Sequence, residues 1–151
     1  MTAKPRKIWQ NQAFTVSHAD GTGLAHEEMD VKPGFEGGLR AFFEYRDLGI
    51  KTASQGAYGA HVIRAIPGRH SEPQWHTHDL NFQMIYILKG WVIFEYEGAG
   101  EVTFRAGSAA LQPPGIKHRE VRHSDDLELI EITSPATFET ALTDAPDEAE
   151  G

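Results

Sequence analysis

From Leu39 onward the chain is a succession of short alternating segments broken by glycine and proline, a punctuation that admits a β sandwich or barrel and little else. Leu39–Tyr45 sets Leu39, Ala41, Phe43 and Tyr45 against Arg40, Phe42 and Glu44. The segments 59–67, 82–88, 91–97, 101–105, 108–112, 118–122 and 127–133 complete the predicted strands. Lys89-Gly90, Gly98-Ala99-Gly100, Ala106-Gly107 and Pro113-Pro114-Gly115 supply the residues that sharp reversals need. One helix is expected, capped by Ser134, with Pro135 in its first turn and an end near Leu142. Before Gly38, glycines and prolines interrupt every period, which predicts an extended arm with one short strand near 13–16. The expected organisation is a single domain: an N-terminal arm (1–38), an all-β barrel (39–134) and a short helical or irregular tail (135–151).

The 151 residues include no cysteine, which excludes disulfides, thiolate metal sites and thiol nucleophiles, so any metal must sit on nitrogen and oxygen. The formal net charge is −8, with acids gathered at Asp144, Asp147, Glu148 and Glu150. No basic face is evident, and nucleic acid is not an expected partner. Residues 1–10 contain Lys4, Arg6 and Lys7 but only Ile8-Trp9 where a secretory signal needs an apolar run. No stretch is long enough to span a bilayer, so a cytoplasmic location is expected.

The chemistry concentrates between Gly68 and Arg122. His76 and His78 lie two apart, and in a strand residues two apart share a face, so both imidazoles can reach one ion. In the next strand Gln83, Ile85 and Ile87 share a face, and the lone amide heading that apolar row needs a partner that a metal would supply. The turn Pro113-Pro114-Gly115 can return His118 over the same point. Simple alternation from His118 sends Glu120 and Arg122 inward as well, an acid/base and an anion anchor, unless a bulge reverses the pattern. His18, His26, His70 and His123 read as solvated, and His61 as an ordinary strand histidine.

These residues resemble the cupin superfamily. Gly68 through the His76/His78 pair to Gly90 follows its first motif, and Gly107, Pro113, Gly115 and His118 follow its second. Gln83 stands where the family usually has a glutamate ligand, and Arg122 where the second motif often ends in Asn. The resemblance implies a double-stranded β-helix (jelly-roll) barrel holding one divalent ion, Fe, Mn, Ni or Zn, on His76, His78 and His118 with Gln83 as fourth ligand or hydrogen-bonding neighbour. Gln in place of Glu leaves the ion its full double charge, which favours a small anionic or oxygen-rich organic ligand. The functions implied are a metal-dependent enzyme of dioxygenase type, a non-catalytic binding or sensing module, or a metal-dependent isomerase or lyase. A homodimer is expected, with the arm and exposed strand edges covered by a second copy.

Overall fold

The computed structural model describes residues 7–147; Lys4 and Arg6 of the basic start and Glu148 and Glu150 of the acidic end lie outside the described residues. In chain order the elements are β1 (Ile8–Trp9), β2 (Gln12–Ala13), α1 (Leu24–Glu27), β3 (Glu36–Gly37), β4 (Phe43–Asp47), α2 (Ile50–Ala53), β5 (Gly59–Ala65) and β6 (His76–Asp79). They continue with β7 (Phe82–Lys89), β8 (Trp91–Tyr96), β9 (Gly100–Arg105), β10 (Ala109–Leu111), β11 (His118–His123), β12 (Glu128–Ser134) and β13 (Glu139–Leu142). A six-stranded sheet runs β10-β7-β12-β5-β4-β3 and a five-stranded sheet runs β13-β6-β11-β8-β9, with β1 and β2 a separate hairpin. Every pairing within them is antiparallel. This is the all-β arrangement that the punctuation predicts. No helix among the described residues is long and apolar enough to cross a membrane.

The two sheets are clamped by one apolar cluster that draws Ile85, Ile87 and Leu129 from the first and Val92, Tyr96 and Phe104 from the second. Ile87 and Val92 have no exposed surface, so Ile87→Ala would cost about 2–5 kcal/mol through lost contacts and an unfilled cavity. Of the four turn signals only Gly98-Ala99-Gly100 closes a hairpin, between β8 and β9. The other three carry the chain from one sheet to the other, because β7 and β8, β9 and β10, and β10 and β11 lie in different sheets. Gly90 sits at such a corner with φ 74°, and a Cβ there would lie 2.9 Å from Leu127 Cα, so both backbone conformation and close approach demand glycine.

The C-terminal helix expected after Ser134 does not form. Ser134 is the last residue of β12, its hydroxyl donating to Ala57 O at 2.9 Å, and residues 139–142 are β13, paired from Glu139↔Asp79 to Leu142↔His76. The physical reason is the edge of β6 that faces away from β11: without the tail its backbone groups have no partner, and β13 pairs with all four of its residues. The strand expected from Leu39 starts later, at Phe43, because Phe43 N bonds back to Arg40 O (3.2 Å) in a turn. Phe42 and Phe43 are consequently both buried while Leu39 is exposed.

The arm is folded onto its own barrel. Ala25, Met29 and Val31 bury against Ala53 of α2 in a second apolar cluster, and β3 adds an edge strand to the six-stranded sheet. The strand expected near 13–16 is present only as β2, ending at Ala13. Residues 30–40 then run as a strap along a cavity of ≈ 620 Å³ that opens between the sheets.

Candidate metal centre

β6 and β11 meet at His118↔His76, and the two-residue repeat of β6 adds His78 on the same face. All three histidines are buried, and their ring centroids stand 4.2 Å (His76–His118), 4.9 Å (His76–His78) and 5.0 Å (His78–His118) apart. One nitrogen from each lies within 4.8 Å of the others. Three nitrogens bound to one ion at ~2.1 Å stand ~3.0–3.6 Å apart, so a closing of the widest pair by about 1–2 Å seats an ion. The rings are held from behind: His76 Nδ1 donates to Gln74 O (2.8 Å), His118 Nδ1 donates to Ile116 O (3.0 Å), and His78 Nδ1 pairs with Thr140 Oγ1 (2.8 Å). A carbonyl accepts only from a protonated nitrogen, so Nδ1 of His76 and His118 carries the proton and Nε2 keeps its lone pair for a metal.

Burial lowers the basicity of all three rings, to about 4 for His76 and about 3 for His78, with a downward shift for His118 as well. Neighbouring imidazoles add to the shift at His76 and His78. The triad is therefore neutral at pH 7, the state in which imidazole binds metal. These donors fit a divalent ion.

Across the cavity the six-stranded sheet contributes Gln83, Glu131, Thr133 and Tyr45. Gln83 is buried, and its Nε2 donates to Glu131 Oε2 at 3.1 Å. Glu131 shares the inward face of β12 with Leu129 and Thr133; burial pushes its carboxyl pKa up, against the opposing hydrogen bond from Gln83.

Residues 61–133 match the family model described as the cupin domain. This chain carries a cupin domain. No curated relative matches the sequence. Among solved structures it is similar to KdgF from Halomonas sp. (19% identity, TM-score 0.52, covering 68% of this chain and 87% of that one). It is also similar to Pac13, a nucleoside dehydratase, of Streptomyces (13% identity, TM-score 0.56, covering 77% and 90%). A third is the oxalate decarboxylase of Lactobacillus farciminis (14% identity, TM-score 0.55, covering 72% of this chain and 33% of that longer one). At these identities the likeness is one of fold.

The cupin fold brings together His76, His78 and His118, with Gln83 and Glu120 lining the same cavity. Gln83 has its amide nitrogen committed to Glu131. Arg122 goes elsewhere. The register of β11 against β8 shifts between Glu120 and Arg122, and this bulge puts Arg122 in solvent and turns His123 inward, contrary to simple alternation. The inward position suits His123 because its ring is 1% exposed, stacked on Phe42 (5.6 Å, 24°) and against Phe43 (5.1 Å). His123 is thus buried, where the sequence reads as solvated; its Nδ1 lies 3.0 Å from Glu120 Oε1 and 2.8 Å from Ser71 Oγ. Glu120 is held by this partner, and its other oxygen is buried without one. His70 and His18 are exposed as expected, while His26 is half-buried between Ser17 Oγ (2.7 Å) and Val31 O (2.8 Å).

Two cavity residues escaped the reading of the sequence. Glu131 was legible in principle, as the one acid in the inward row Leu127, Leu129, Glu131, Thr133. Arg40 was not: it reaches the triad from the strap, its Nη2 3.2 Å from both ring nitrogens of His76.

Proposed function

We propose that this cupin domain is a metal-dependent enzyme that moves a proton on a small oxygen-rich organic anion, in a lyase or isomerase reaction. The observation that carries this reading is Glu131: a carboxyl on the wall opposite the histidine triad, held by Gln83 and raised in pKa by burial. A divalent ion on the three imidazoles supplies electrophilic polarisation of a substrate oxygen. Glu131 accepts a proton from substrate carbon and returns it at another atom, while Gln83 fixes the carboxyl so that one oxygen faces the cavity. Phe42, Ile63, Ile85 and Leu129 keep bulk water from the reacting atoms. The dioxygenase expectation shares the metal but gives Glu131 no part, so it ranks second. Neighbours named as a nucleoside dehydratase, DMSP lyases and an oxalate decarboxylase with Mn(II) centres support bond-breaking chemistry on this fold. Three nitrogen donors suit Fe(II), Mn(II), Ni(II) or Zn(II).

The test is proton exchange. A panel of small hydroxy and oxo acids is incubated in D₂O with Mn(II)-loaded protein and followed by NMR. Metal-dependent deuterium incorporation that disappears in Glu131→Gln supports the reading. Consumption of substrate only with dioxygen returns the dioxygenase, and ligand recovered unlabelled and unchanged across the panel returns the binding module.

Homodimerisation belongs to the same proposal. The outward residues of β7 and β10, Phe82, Met84, Tyr86, Leu88, Ala109 and Leu111, carry no charge, although the chain as a whole carries −8. A second copy approaches such a chain most readily on that face. Sedimentation of Leu111→Glu as a monomer against a wild-type dimer checks it.

A further inference from the structure

Arg40 is a cation at the metal centre with no counter-charge of its own. It lies in the turn between β3 and β4, where its backbone N–H donates to Tyr45 Oη (3.2 Å). Nη2 is equidistant, at 3.2 Å, from Nδ1 and Nε2 of His76. An atom in the ring plane at that separation from both would overlap Cε1, so the guanidinium lies over the face of the imidazole. Among the described residues its Nε and Nη1 have no hydrogen-bond partner, and neither is a sealed, unpartnered atom. Three cations are ion-paired, Arg119 with Glu95 (2.8 Å), Arg64 with Glu44 (3.5 Å) and Lys32 with Glu36 (3.5 Å), and none of those three touches the histidine triad. Arg40 makes no ion pair among the described residues.

The acids lining the same cavity do not supply one. Asp47 Oδ1 accepts from Gly49 N (2.8 Å), Glu36 is paired with Lys32, Glu120 with His123, and Glu131 accepts from Gln83, while Asp30 is exposed on the strap. A half-buried guanidinium with open donors beside neutral rings is a site prepared for an anion from outside the chain.

We infer that Arg40 is one pole of an anion subsite whose other pole is the histidine-held ion, and that the ligand of this cavity is a small carboxylate seated between them. The inference rests on the metal reading above and adds the substrate class. One guanidinium offers the two parallel donors that one carboxylate accepts. A dianionic phosphate would meet the same single fork with Glu131 and Glu120 in the facing walls, so the carboxylate is the better match. Because Arg40 arrives from the strap, residues 30–40 and not the barrel motifs set this preference.

The experiment compares tartrate with its neutral diamide by calorimetric titration of the Zn(II)-loaded full chain, wild type and Arg40→Gln. A charge-assisted pair contributes about tenfold or more in affinity. Wild type should prefer tartrate at least about tenfold over the diamide, and Arg40→Gln should cut that preference about tenfold, leaving what the ion alone confers, while zinc affinity, measured separately, is unchanged or raised by loss of a nearby cation. Arg40→Lys, which keeps the charge without the fork, should fall between. The inference is overturned if the diamide binds wild type as well as tartrate, if Arg40→Gln discriminates like wild type, or if inorganic phosphate displaces tartrate at lower concentration than tartrate itself binds. Should zinc not bind wild type, the metal reading fails by itself. Arg40 is then judged on the same ligand pair against the metal-free protein, where the carboxylate preference must still vanish in Arg40→Gln.

Discussion

The five-stranded wall of the cavity presents three imidazoles, the six-stranded wall a carboxyl, an amide and a phenol, and burial acts on the two sets in opposite directions. Desolvation disfavours charge on either, so the histidines fall to about 4 and about 3 where values are resolved, while Tyr45 rises to about 12 and Glu131 rises as well. Both walls are driven towards neutrality by one cause. The histidine wall thereby gains lone pairs for a cation, and the opposite wall gains an acid that can hold or release a proton. Arg40 is the exception on the strap, a fixed charge that burial does not neutralise.

The hardest test of this division is His118→Ala, which removes a ring from the first wall. Metal binding followed by competition with a chelator should weaken by more than about 100-fold, and an unchanged affinity would end the assignment of the wall. Glu131→Gln leaves the histidine wall whole and should lower metal-dependent proton exchange by about 10²–10⁴-fold with metal affinity retained, separating acid from ligand. If metal affinity falls instead, Glu131 works through the ion and the walls are not independent. Thr140→Val removes the partner of His78 Nδ1 and should weaken metal binding by about tenfold, read in the same chelator assay. The smallest effect is on stability against pH. Each triad histidine binds its proton more weakly folded than unfolded, so the unfolded state takes up protons first as pH falls. The metal-free protein should therefore lose stability below about pH 6.5, with the loss from His76 and His78 complete near their folded values of about 4 and about 3. Urea titrations across that range check the sign, and His78→Gln should flatten the slope.

Much of the histidine wall was readable in the chain because its determinants are local. His76 and His78 share a face by strand periodicity, and His118 follows a turn whose residues are written beside it. The opposite wall is spread over β4, β7 and β12, and its hydrogen bond from Gln83 to Glu131 joins residues 48 apart in sequence. Alternation failed at Leu39–Phe42, where a turn precedes β4, and at Arg122, where a bulge let His123 take the inward position against Phe42 and Phe43. Capping signals misled at the tail, where the helix expected after Ser134-Pro135 yielded to a strand on the free edge of β6.

Periodicity and turn residues were sufficient to determine an all-β chain with His76 and His78 on one strand face, since each depends on neighbours within a few residues. Which acid faces those ligands, which arginine reaches them, and where a strand slips by one residue were decided only when distant segments packed. Those outcomes depend on which contacts bury the most surface with the fewest unpaired polar groups, and that comparison exists only between segments already brought together.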